Sequence, residues 1–354
     1  MISSTPSPSR PPTATRILRD RAARSWKAVV DRFAVPSLPR SAWQLANTLI
    51  PYAALWVAMA FAIRVSYWLA LPLMILAGGF LVRIFIIFHD CGHEAFFRSR
   101  KANHVWGFIT GVLTFTPYHH WRWEHAVHHG TSGDLDRRGT GDIWTLTVQE
   151  YLEASWRKRL AYRLARNPVV LFVLAPLGIF LVQQRFASPR ASRRARRSVR
   201  WTNLALVAMG AGLSWALGVG PYLMIQLTVM LVAGSAGIWL FYVQHQFEGV
   251  YWKRSEEWDY TTASLEGSSF YKLPKILQWF SGSIGFHHLH HLSPRIPNYR
   301  LEACHKAEPE FQKAPTVTFF QSFKSLGYRL YDEERQRLVG FGALRHLQAE
   351  RIRS

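Results

Sequence analysis

Between Trp201 and Phe247 the chain runs without one Asp, Glu, Lys or Arg, and its only interruption is the turn-forming Gly218-Val219-Gly220-Pro221. A bilayer core takes about 20 apolar residues per helix, so this block predicts two spans, at about 201–219 and 222–244, joined by a tight hairpin. A second block, Ser41 to Phe88, is broken only by Arg64 and Arg83 and divides in the same way into spans at about 43–62 and 67–88. Two further stretches are weaker: Val105 to Phe115 is short, and Asn167 to Gln184 is uncharged but interrupted by Pro176. The expected fold class is an all-α integral membrane protein with four transmembrane helices in two hairpins. No internal repeat and no second soluble domain is evident.

Composition changes this picture little. With 49% hydrophobic residues, 14% aromatic and two Cys, the chain is neither disordered nor a small disulfide scaffold. Its mean hydropathy of −0.03 reflects dilution of the apolar blocks by a basic, His-rich remainder.

Charge changes it more: 43 Lys and Arg stand against 22 Asp and Glu, a formal net charge of +21. Residues 1–40 are rich in Arg, Ser and Pro and lack an apolar signal core, which predicts a flexible basic cytosolic tail rather than a cleaved secretory signal. The membrane domain is expected over 41–335, helical after about residue 300, with a C-terminal tail at 336–354. Arg185, Arg190, Arg193, Arg194, Arg196, Arg197 and Arg200 directly precede a span with no acid among them. That run reads as a positive-inside signal, attractive to anionic lipid headgroups, rather than as a nucleic-acid site. Arg83 is expected to snorkel toward the nearby interface, the alternative being an anchor for Asp90.

The histidines carry the chemistry. Eleven of fifteen fall into three clusters: His89 and His93; His119, His120, His125, His128 and His129; His287, His288, His290 and His291. His89 and His93 stand at i and i+4, and the other two clusters each contain His-x-x-His-His, so on helices each set shares a face. His119 and His120 point away from the His125 face. Eight convergent imidazoles exceed what one tetrahedral or octahedral ion uses, so two metal ions are expected, and imidazole alone does not separate Zn, Cu and Fe. If all three clusters share one side of the membrane, 105–115 and 167–184 are re-entrant or interfacial and both termini are cytosolic.

His89-Asp-Cys-Gly-His93, His125-Ala-Val-His-His129 and His287-His-Leu-His-His291 resemble the three histidine boxes of membrane fatty acid desaturases. The resemblance extends to Gly-Thr-Gly-Asp-Ile-Trp at 139–144, Phe-Tyr-Val-Gln-His-Gln-Phe-Glu at 241–248, Glu-Gly-Ser-Ser-Phe-Tyr-Lys-Leu-Pro at 266–274 and His-His-Leu-Ser-Pro-Arg-Ile-Pro-Asn-Tyr at 290–299. Within the family the chain is most similar to bacterial acyl-lipid desaturases of the Bacillus delta-5 type. The resemblance implies a cytosolic helical cap carrying a non-haem di-iron centre that uses O2 to introduce a cis double bond into a membrane lipid acyl chain. It also implies a multi-pass protein of the inner (cytoplasmic) membrane and a ninth ligand, His245, on the fourth span. Asp90, Glu124 and Asp142 are candidates for holding ligand imidazoles by their distal N–H groups, and Glu248, at i+3 from His245, for accepting from a ligand or reaching the metal.

Electrons must be supplied from outside, because the chain has no dinucleotide-binding Gly fingerprint, no iron–sulfur Cys pattern and no fused cytochrome b5-like segment. The family suggests ferredoxin or flavodoxin, which a basic face would steer. A hydroxylase or ketolase would use the same boxes. A zinc protease would need Glu where Asp90 stands and leaves six clustered histidines unexplained. A metal transporter would hold its site near the membrane midplane rather than at span ends.

Overall fold

A computed structural model describes residues 26–344 and opens with a short helix at residues 26–33, α1. Pro39 in the first turn suits the start of α2 (Leu38–Val65), and Ser66, extended, ends it. The Ser66 hydroxyl then caps α3 (Tyr67–Gly92) by accepting from the Trp68 N–H at 3.2 Å. α3 is the inner helix: Ala70, Met74, Ala77 and Ile84 are buried between α2 and α10 (Val219–His245). Close approach to α10 depends on Gly78, where a Cβ would stand 2.5 Å from Val232 Cγ1. On the outer faces Trp43, Phe61 and Trp68 are exposed, an apolar surface that suits hydrocarbon and not water.

After α3 come α4 (Arg100–Leu113) and α5 (Tyr118–Thr131), 14 residues each, which pack against α3. Beyond them lie α6 (Val148–Glu153) and α7 (Trp156–Ala165). Between Val170 and Val182 two π-helical turns flank α8 (Ala175–Leu177), with Pro176 at the break. α9 (Arg193–Leu217) and α10 then form a hairpin at Gly218, whose φ of +89° favours glycine.

Among the described residues three helices are long and apolar enough to cross a membrane: α2, α3 and α10. The span expected at 201–219 lies on α9, whose first turns are Arg-rich, so its uncharged part runs only from Trp201 to Leu217. α7 and Val170–Arg185, bent by 61°, would count as a fourth span only if taken together.

The remaining helices are α11 (Tyr260–Glu266), α12 (Lys275–Phe280), α13 (His287–Leu292) and α14 (Asn298–Ala307). The expectation of an all-α protein needs correction, because this part also holds short strands: β1 (Leu146–Thr147), β2 (Phe270–Lys272), β3 (Thr316–Thr318), β4 (Leu330–Asp332) and β5 (Arg337–Val339). β4 pairs parallel to β1 and antiparallel to β5, and β2 pairs parallel to β3. Runs of two or three residues paired over such sequence distances leave no readable alternation.

The expected tails are also shorter than 1–40 and 336–354. Val29 and Val30 of α1 are buried against Phe286, Leu289 and Ile296 around α13, and Leu338 and Val339 of β5 are buried beside β4. Residues 1–25 and 345–354 of those tails lie outside the described residues.

Arg83 neither reaches water nor anchors Asp90. It is buried, donating from Nε to Thr48 Oγ1 at 3.1 Å and from a terminal nitrogen to the Trp279 carbonyl, with its guanidinium 4.0 Å from the Trp279 ring centroid. A backbone carbonyl and an aromatic face from α12 cover the helix where open interface was expected.

Candidate metal centre

The three boxes arrive on different elements, each tied to another. His89 closes α3 and His93 caps it. The Tyr118 hydroxyl donates to the Cys91 carbonyl at 2.5 Å and lies where a Cβ on Gly107 would stand 2.2 Å from its ring, which fixes the start of α5 against the end of α3. Asp90 joins α3 to the third box, since its Oδ2 accepts from the Asn298 backbone N–H at 2.7 Å and side-chain amide at 2.8 Å, at the start of α14 just past α13. α13 is secured by the Tyr260 hydroxyl, which donates to the His291 carbonyl at 2.6 Å.

Nine histidines converge in two groups whose ring nitrogens lie within 4.8 Å of one another: His89, His93, His125, His129 and His290 in one, His128, His245, His287 and His291 in the other. In the first, the Nε2 atoms of His89 and His125 are 3.0 Å apart, those of His125 and His129 3.1 Å, and those of His129 and His290 2.9 Å. In the second, Nε2 of His287 stands 3.0 Å from that of His245 and 3.1 Å from that of His291.

The two His-x-x-His-His runs are used in opposite phase. His125 and His129, one turn apart, join the five-membered group while His128 joins the four-membered one; His287 and His291 join the four-membered group while His290 joins the other. The sequence expectation of one face per box is refined accordingly: i and i+4 go together, and i+3 turns to the neighbouring group. The groups touch where the rings of His129 and His291 stack at 4.2 Å.

The donor set fits metal ions. His128 Nδ1 lies 2.6 Å from Asp142 Oδ1 and His89 Nδ1 3.3 Å from Asp90 Oδ1, so a carboxylate places the N–H on Nδ1 and leaves Nε2 as a bare lone pair facing inward. The buried Nε2 atoms of His93 and His128 have no hydrogen-bond partner among the described residues. Burial first, and then the neighbouring histidines, hold His125, His129, His287, His290 and His291 well below the ordinary imidazole range, so protonation does not relieve the crowded lone pairs. Cations in each group would.

Of the four acids singled out in the sequence, Asp90 and Asp142 meet box histidines and two do not. Glu124 faces His120, its Oε2 3.4 Å from Nδ1, because neighbours on a helix point about 100° apart. Glu248 is exposed: α10 ends at His245, Gln246 leaves helical geometry at φ −128°, and the i+3 relation is lost. His245 Nδ1 instead lies 3.4 Å from the Gly267 carbonyl. His119 and His120 stay outside the nest, beside Arg194 and the Ser188 N–H, and His288 turns to His305.

Two residues escaped the sequence reading. Trp121 stacks on His125 with ring centroids 4.3 Å apart, and Asn298 holds Asp90. A Trp four residues before the second box carries no helical signal that separates it from core.

Comparison with known proteins finds relatives of one family. A model of the fatty acid desaturase family matches residues 66–323. A fatty acid desaturase of Bacillus subtilis is 50% identical over 318 residues, 90% of this chain and 90% of its own. An sn-1 acyl-lipid omega-3 desaturase (ferredoxin) of Synechocystis is 26% identical over 70% of each chain, and an sn-1 oleoyl-lipid 12-desaturase of Picosynechococcus 26% over 83% of this chain and 85% of its own.

Proposed function

The chain belongs to the fatty acid desaturase family, oxidoreductases acting on fatty acyl chains, and from that premise we propose that it introduces a cis double bond into a membrane lipid acyl chain. The convergence of nine histidines into two adjacent groups at the ends of α3 and α10 carries this reading. Each group would hold one iron: His89, His93, His125, His129 and His290 on one side, His128, His245, His287 and His291 on the other. Two irons, when bound, supply the oxygen-dependent oxidation of two adjacent methylenes, in which O2, two electrons and two protons are consumed and two waters leave.

The protein's own residues prepare the site. Asp142 and Asp90 fix imidazole orientation. Phe241, its ring about as close to His128 (5.1 Å) as to His245 (5.0 Å), and Trp121 against His125 give the apolar contact an acyl chain needs, and burial of the four-histidine group keeps water from that half.

Four crossings suit this function. α9 begins beside α5, where the His119 N–H donates to Ser198 Oγ, and ends at Gly218, from which α10 returns to His245. At 1.5 Å per residue its 25 residues and the 27 of α10 cover about 37 and 40 Å, so both traverse the same thickness. The membrane domain, 41–335 with the packed segments flanking it, thus sits in the cytoplasmic membrane with the nest and both termini on the cytosolic side. A ferredoxin or flavodoxin supplies the electrons.

Expression in a host without desaturases, followed by gas chromatography–mass spectrometry of derivatised fatty acids, tests this. Oxygen-dependent mono-unsaturated product with two irons per chain is expected. A hydroxylated product would move the reading to a hydroxylase, and bound metal without any lipid product would overturn it.

A further inference from the structure

The two halves of the nest differ in their access to solvent. All four histidines of one group are buried, whereas in the other His93 and His125 are only half-buried. The open edge is framed by charge. Glu94, next to His93, accepts from Arg122 at 2.7 Å and lies 3.3 Å from Arg100 Nε and 3.6 Å from His104. Arg194, at the start of α9, reaches His104 and His119 at 3.4 and 3.3 Å. Two arginines therefore hold a single carboxylate, Arg194 stands behind it on His104, and Arg98, Lys101, Arg193 and Arg197, close to them in sequence, are exposed. Burial and then Arg194 lower His119 to about 4, so this rim histidine adds no charge.

The rim meets the nest at Glu94, which accepts from Arg122 and follows His93 in the chain, and the His93 and His125 rings lie 4.9 Å apart. Electron transfer falls steeply with distance, which makes the half that reaches the surface the place of entry.

Resting on the oxidoreductase reading above, we propose that the rim of Arg100, Arg122 and Arg194 over His93 and His125 is the docking surface for an acidic one-electron carrier protein, delivering electrons to the five-histidine half. Complementary charge steers such an encounter and fixes its orientation.

The test uses the full-length protein in nanodiscs and an acidic [2Fe–2S] ferredoxin as probe. Arg100→Glu with Arg194→Glu should weaken ferredoxin binding by at least about tenfold at low ionic strength and flatten its salt dependence. Arg157→Glu with Lys158→Glu makes the same charge change on exposed α7 positions and should leave binding near wild type. On the wild-type protein, carbodiimide coupling should join ferredoxin carboxylates to Lys101 in preference to Lys158, which locates the surface even if the rim variant fails to fold. Equal weakening in the two variants, or coupling at Lys158 rather than Lys101, would overturn the proposal. Lipid oxidation is read separately, on the wild type with a small-molecule reductant, so failure of the desaturase reading leaves the binding result standing.

Discussion

The four-histidine and five-histidine groups are unlike solutions to one problem. The four-membered group is fully buried and draws its rings from three elements, with His128 held at 2.6 Å by Asp142 and His245 beside the Gly267 carbonyl. The five-membered group has one more ring, a looser carboxylate contact at 3.3 Å from Asp90 to His89, and an edge open to solvent. A closed set with no spare member depends on every ring, whereas a five-membered set tolerates loss of one at its edge. The closed half suits protection of a reactive centre from water, and the open half suits exchange with a partner.

The sharpest way to break this comparison is to remove one ring from each half. Loss of a hydrogen-bonded partner behind a ligand typically costs 10–100-fold, so loss of a ligand should cost more: His128→Ala and His245→Ala should each lower turnover by more than about 100-fold and release about half the iron. His93→Ala should retain more metal than either, and His104→Ala should retain it all. Iron content by plasma mass spectrometry, beside turnover, decides; equal loss from His93→Ala and His128→Ala would erase the distinction.

A smaller effect is expected behind the ligands. Asp142→Asn should reduce turnover by about 10–100-fold, because its Oδ1 fixes the His128 tautomer and its Oδ2 only accepts from the Gly139 N–H. Asp90→Asn should cost less metal but more stability, since Asp90 also binds Asn298 and so joins α3 to α14. Thermal unfolding in detergent measures the second quantity and metal content the first.

Arg83→Lys addresses the scaffold common to both halves. Lysine cannot keep the Thr48 and Trp279 contacts together, so a loss of about 1–3 kcal/mol is expected, seen as a lowered Tm with the iron complement intact in the folded fraction. The smallest effects belong to Glu124→Gln and Glu248→Gln, which touch neither half: turnover within about twofold of wild type, the scale of neutral surface changes. A tenfold loss in either would mean that the acid meets the nest during turnover.

Much of this protein was legible in the chain itself. Long uncharged runs can be satisfied only by apolar surroundings, so α2, α3 and α10 follow from composition, and imidazoles spaced four apart share a helix face whatever surrounds it. What the tertiary structure decided is of another kind. Which ring joins which group depends on how four helices are rotated about one another, so the opposite phase of the two His-x-x-His-His runs has no signature in either run. The fates of the acids depended on helix ends and rotation: Glu248 was lost because α10 stops at His245, and Glu124 because a one-residue step turns it to His120. Arg83 found its partners in Thr48 and Trp279, and Asp90 in Asn298, at sequence separations where local periodicity carries no information, because contacts of that range are selected by packing of the whole fold rather than by neighbours along the chain.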